Sequence, residues 1–179
     1  REFPAEALQE RLLYGSLPGM MAVSNLRDRE VVLASYGTTY LEDEVRAEAV
    51  VRHIGDFARF VELAASESGQ LVNFRKLSQE IGVSHTTIAA YYRILEDCLI
   101  AERIEPLTHS KTRKKLTKSE KYLLFDLGVR RLAAREGAQP SRDTFGRLFE
   151  QFVGLELLWS ARAAGPGVRA GRWIRFSSP

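Results

Sequence analysis

The sequence predicts a mainly α-helical chain with one small β-hairpin, and three observations predict it. Apolar residues recur at helical spacing through most of the 179 residues. Residues 73–97 read as helix, short glycine turn, helix. Two alternating apolar segments, 98–104 and 121–125, follow that pair and read as strands. Two strands with a basic tip behind a helix-turn-helix make a winged helix.

At the N-terminus, Ala7, Leu8, Arg11, Leu12 and Leu13 suit a short helix that Gly15-Ser16-Leu17-Pro18-Gly19 stops, leaving a loop up to residue 27. Residues 28–53 read as a helix with Val31, Val32, Tyr36, Tyr40, Leu41 and Val45 on one broad side. Glu42-Asp43-Glu44 lies on or near the opposite side, as a solvent face or a docking surface. Asp56 is a candidate N-cap for a helix over 57–66, with Phe57, Phe60, Val61 and Ala64 inward. In the helix pair, Asn73 is the first cap, with Phe74, Leu77 and Ile81 inward and Gly82 as the stop. Ser84 caps the second helix, which turns Ile88, Tyr92 and Leu95 inward. His85, Thr86, Ala89, Ala90 and Arg93 are then its outward, candidate DNA-reading positions. They are poor in the Arg, Asn and Gln that contact bases in bidentate fashion.

The segment between the strands is the stronger electrostatic feature. Residues 105–121 hold six Lys or Arg against two Glu, and Lys111, Arg113, Lys114, Lys115 and Lys118 have no acidic residue among them. Such a loop suits sequence-independent phosphate contacts, and equally a solvated, mobile basic loop. Residues 128–134 read as a short helix and 137–142 as a linker. Residues 144–163 form a long helix with Phe145, Leu148, Phe149, Phe152, Leu155 and Trp159 as its expected core stripe. Trp173–Phe176 starts a further strand.

Charge and composition bound the function. Residues 1–70 carry 7 basic and 12 acidic side chains, and residues 71–179 carry 19 and 11, so a net charge of +3 hides a basic C-terminal part. That asymmetry suits a polyanionic partner such as double-stranded DNA. The single cysteine, Cys98, excludes a disulfide framework and reads as a small core residue at the junction of the second helix and the strand. His53, His85 and His109 show no paired-ligand spacing, and none of the 13 glycines precedes a lysine, so there is no phosphate-cradling loop. Glu150 and Glu156 are six residues apart on one helix and do not share a face as a metal pair would require. No cofactor is expected. The longest uncharged run, 12–26, is too short and broken for a bilayer span, and no leader opens the chain. The expectation is a reduced, cytoplasmic, membrane-free protein that can form homo-oligomers. A chain that begins with Arg1 and stops after an apparent strand reads as a fragment.

In five places the sequence resembles the region called domain of unknown function 4143, the C-terminal part of many AAA-type ATPases. The landmarks, in order, are Leu13-Tyr14-Gly15-Ser16-Leu17-Pro18, residues 36–45 (YGTTYLEDEV), residues 77–95 (LSQEIGVSHTTIAAYYRIL), residues 122–128 (YLLFDLG) and residues 144–150 (TFGRLFE). The resemblance implies an N-terminal helical arm over 1–69, a winged helix over 70–135, and the start of a restriction-endonuclease-like α/β domain over 136–179. It also implies an ATPase domain as partner, and places Glu150 at the acidic position of the nuclease-like first helix. The function this suggests is a non-catalytic DNA-binding or coupling module. The alternatives are a protein-interaction module and a truncated piece of a nuclease-like enzyme.

Overall fold

A computed structural model describes residues 5–47, 54–106, 120–164 and 172–173. Their elements run α1 (Ala5–Tyr14), α2 (Pro18–Met21), α3 (Leu26–Ala47), α4 (Ile54–Ser66), α5 (Phe74–Ile81), α6 (His85–Asp97), β1 (Ala101–Pro106), β2 (Lys121–Leu124), α7 (Leu127–Ala133), α8 (Arg142–Ala163) and β3 (Arg172–Trp173). The fold is mainly helical. β1 pairs antiparallel with β2, Ala101 opposite Leu124 and Ile104 opposite Lys121, and parallel with β3, giving the order β2-β1-β3.

Both caps of the helix pair form as the residue types predict. Asn73 accepts the Lys76 N–H at 3.0 Å, and Ser84 accepts that of Thr87 at 3.0 Å. Gly82 closes α5 in the left-handed region at φ 87°. At the other end of α6 the same kind of ending is made without glycine. Leu99 sits at φ 57°, while the Ile100 N–H reaches back to the Leu95 carbonyl and that of Leu99 to Glu96. This closure consumes residues 95–100, so the strand expected from Cys98 begins at Ala101 instead. Cys98 is buried as the capping residue of α6, in the core role expected of it.

Three apolar clusters form. The first packs α4, α5, α6 and the hairpin around Phe57, Phe60, Leu77, Ile88, Tyr92 and Leu95. Phe60 meets Tyr92 edge-on at 4.9 Å, and Tyr92 stacks on Tyr122 at 4.1 Å. The second joins Leu12 of α1 to Ile104, Leu123, Leu127 and the inner face of α8. The third joins Leu13, Tyr14, Met20 and Leu33 to Val129.

α7 contributes Leu127 to the second cluster and Val129 to the third, and is fixed by three charged side chains. Asp126 caps its own helix through the Gly128 and Val129 N–H groups at 2.9 and 3.0 Å, and also accepts the Ser16 N–H at 2.7 Å. Arg130 is 2% exposed. It donates to the carbonyls of Ala65 and Ser66 at the end of α4, and pairs with Glu136. Arg131 is 3% exposed. It donates to the Leu13 carbonyl at the end of α1 at 2.7 Å, pairs with Glu30 of α3 at 2.7 Å, and stacks over the Tyr14 ring. Two buried guanidinium groups thus satisfy the open carbonyls of two other helices. No buried side-chain nitrogen or oxygen among the described residues is left without a partner.

Three expectations for the N-terminal helices are corrected. Residues 18–21 form a short helix where a loop was expected, since Pro18 at the first turn has no N–H to lose. Asp56 lies in the first turn of α4, which begins at Ile54, rather than capping it. On α3 Leu33 and Gly37 are buried and Tyr36 is half-buried against the third cluster, as expected of Tyr36, while Val31 and Val32 are exposed, because the Glu30–Arg131 pair and Leu33 turn that side toward α7. The side chains of residues 38–47, including Tyr40, Leu41, Val45 and Glu42–Glu44, lie outside the described ones.

On α8 the buried residues are Leu148, Gln151, Leu155 and Leu158. Phe145, Phe149 and Trp159 are exposed, and Phe152 is half-buried. The inner face is rotated by roughly 70° from the aromatic stripe. Gln151 decides the rotation by donating to the Leu124 carbonyl at 3.0 Å, and Gly154 lets the helix approach Leu123.

The contact between the α1–α2 turn and α7 leaves no room for side chains. A Cβ on Gly128 would overlap the Tyr14 carbonyl. Gly128→Ala should destabilise the fold by about 1–3 kcal/mol. Gly146→Ala, in an open helical position, should be neutral or stabilising by up to about 1 kcal/mol. Urea unfolding of the two variants checks the contrast.

Candidate nucleic-acid interface

The outward side of α6 is set by what the helix must bury. Ile88, Tyr91, Tyr92, Ile94 and Leu95 point into the first cluster, which leaves His85, Thr86, Ala90 and Arg93 exposed and Ala89 half-buried. His85 and Arg93 are eight residues apart, roughly 12 Å along the helix. The Thr86 hydroxyl is already engaged, 2.7 Å from the Ser84 hydroxyl. Arg93 has no ion-pair partner among the described residues.

The hairpin brings its root against the end of α6. Arg103 on β1 lies 3.5 Å from Glu96, 3.5 Å from Glu105 and 3.4 Å from Glu120. The Tyr122 hydroxyl donates to Glu120 at 3.1 Å. One guanidinium therefore holds three carboxylates together where the loop leaves the sheet. Sequence reading missed this cluster because its members come from α6, β1 and the start of β2. Alternation along β1 does put Arg103 and Glu105 on one side. Burial pushes the Glu96 carboxyl above its usual range, Arg103 pulls it down, and Glu120 pushes it up again. Burial likewise raises the phenols of Tyr92 and Tyr122.

The basic cluster Lys111, Arg113, Lys114, Lys115 and Lys118 lies outside the described residues, as do His53 and His109. The edge of β2 from which this segment departs is covered by the chain after α4. The Gly69 N–H donates to the Tyr122 carbonyl at 2.8 Å and the Val72 N–H to that of Glu120 at 2.9 Å. Ser68 adds a side-chain bond by accepting the Leu124 N–H at 3.0 Å.

Glu150 is exposed on α8 and paired with Lys121 at 3.1 Å, bracing the helix against β2. Glu156 is exposed elsewhere on the helix, and no group of three potential metal ligands occurs among the described residues. No helix among them is long and apolar enough to cross a membrane.

The two segments that bear the most distinctive sequence landmarks, residues 13–18 and 122–128, meet at the Ser16–Asp126 bond and the Tyr14–Gly128 contact. This interlocked unit, together with the helix pair, falls inside a family match. The chain belongs to the family described as Domain of unknown function (DUF8612), matched over residues 5–140. The match identifies a domain of unknown function, and under a different designation from the 4143 region that the landmarks resemble. No curated protein and no solved structure matches the chain.

The half-buried Glu96 makes a pH prediction. A carboxyl with a higher pKa in the folded state than in the unfolded state binds protons on folding. Stability therefore falls as pH rises from the usual carboxylate range toward its folded pKa. The stability difference between Glu96→Gln and the parent should move in favour of the variant between about pH 3.5 and pH 7. Urea unfolding at both pH values tests it, and the opposite trend would show that the Arg103 pairing outweighs burial.

Proposed function

We propose that this chain is a non-catalytic winged-helix module that binds double-stranded DNA or couples DNA to an ATP-driven partner. One observation carries the reading: α5, a three-residue turn, α6 and the β1–β2 hairpin follow one another, with His85, Thr86 and Arg93 exposed on α6. The segment joining the two strands contains Lys111, Arg113, Lys114, Lys115 and Lys118. Cations in the segment that joins the two strands suit contacts with phosphates, and few base-reading side chains on α6 suit weak sequence preference. The resemblance to the 4143 region extends the reading to the C-terminal part of an AAA-type ATPase, with its nucleotide-binding domain as partner. On this reading the chain hydrolyses no ATP, cleaves no DNA, takes no cofactor and acts in the cytoplasm. Its sequence has no phosphate loop, and Glu150 is engaged by Lys121 as a brace.

A protein-docking module is the second reading. It is favoured by the carboxylates Glu96, Glu105 and Glu120 at the hairpin root, which would repel a phosphate backbone laid across them.

Fluorescence anisotropy with two unrelated duplexes over a salt series separates the two. DNA contact predicts a log–log salt slope of about −3 for three or four phosphate contacts, similar for both duplexes. Replacing Arg113, Lys114 and Lys115 together by Ala should flatten that slope. Replacing Arg93 should affect the two duplexes unequally. Binding that is absent at low salt, or indifferent to the triple replacement, would favour protein docking.

A further inference from the structure

On its outer side α8 carries an apolar ridge that no other described element covers. Phe145, Phe149, Val153 and Leu157 recur at every fourth residue and are 38%, 44%, 39% and 66% exposed. Rows at this spacing are the ridges through which helices interdigitate, and a contiguous exposed apolar patch marks an interaction surface. Within about 60° of Phe149 around the helix, only two charged residues occur, Arg142 and Glu156. Both are exposed, and neither has an ion-pair partner among the described residues.

The positions of those two charges select an occupant. Arg142 lies seven residues before Phe149 and Glu156 seven residues after it, each roughly 10 Å along the axis. We propose that the outer face of α8 docks on the same face of a second copy of this chain, antiparallel, with the two-fold axis at Phe149. In that register Arg142 of each copy meets Glu156 of the other, Phe145 meets Val153, and Phe149 meets its own counterpart. A parallel pair would instead set Arg142 against Arg142 and Glu156 against Glu156, with like charges opposed at both ends. The face is self-complementary only in the antiparallel sense, as a two-fold interface requires. The inner face of α8 stays on the hairpin and α1, so docking needs no rearrangement of the fold.

Size-exclusion chromatography with light scattering on the whole chain, over a hundredfold concentration range, tests this. The mass should rise with concentration from 20.2 kDa toward twice that value. Phe149→Glu sets two carboxylates on the axis, and Arg142→Glu opposes two carboxylates at each end. Each should raise the dissociation constant by about tenfold or more, equivalent to about 1.4 kcal/mol. Combining Arg142→Glu with Glu156→Arg should bring it back to near the parent value. Circular dichroism should be unchanged throughout, since all three residues are exposed. A chain that stays monomeric at every concentration, whatever else binds the face, would overturn the proposal. So would a dimer indifferent to the single charge reversals, or one that the double reversal fails to restore.

Discussion

Every part of this fold depends on how the short helix α7 is held. It is only seven residues long, far too short to be stable by its own propensity. Three charged side chains hold it, and each also fixes another segment. Asp126 ties the N-terminus of α7 to the turn after α1, Arg130 closes α4, and Arg131 closes α1 and pairs with α3. Burying a charge is unfavourable unless its hydrogen bonds are met. Here carbonyls at helix ends and single carboxylates meet them. Burial still pushes the Asp126 carboxyl upward, while the N–H groups of Ser16, Val129 and Gly128 pull it back. α7 thus joins the second and third apolar clusters through Leu127 and Val129, and is tied to the first by Arg130 at the end of α4.

This joint also explains which parts of the structure were legible in the sequence. Local signals read correctly. Asn73, Ser84 and Gly82 bounded their helices because a cap acts within three residues of itself. The strand pair 101–106 and 121–124 emerged from alternation, displaced at one end by the closure around Leu99. Long-range polar bonds did not read. Nothing in Arg130-Arg131 distinguishes two buried helix-closing cations from a solvated basic pair, since the helix-end carbonyls they close lie 64 to 118 residues away. The α8 stripe failed for a related reason. That helix is apolar nearly all round, so periodicity alone allowed several faces, and Gln151 bonding to Leu124 selected one.

For the candidate site the division is similar. Exposure of His85, Thr86 and Arg93 followed from placing Ile88, Tyr92 and Leu95 inward. The carboxylate cluster around Arg103 was invisible, because three elements contribute to it. Its position matters to any ligand. Negative charge at the hairpin root would turn a polyanion away from the C-terminal end of α6.

The central claim is that the Asp126–Arg130–Arg131 joint makes the described elements open and close as one unit. Native-state hydrogen exchange of the Ser16, Gly128 and Val129 amides, all bound to Asp126, tests it most directly against the core amides of α6. The account predicts that the three share the opening free energy of α6, and that Asp126→Ala lowers both sets together. Exchange at Ser16 and Gly128 far faster than in α6, or an Asp126→Ala chain in which α6 keeps its full protection, would contradict it.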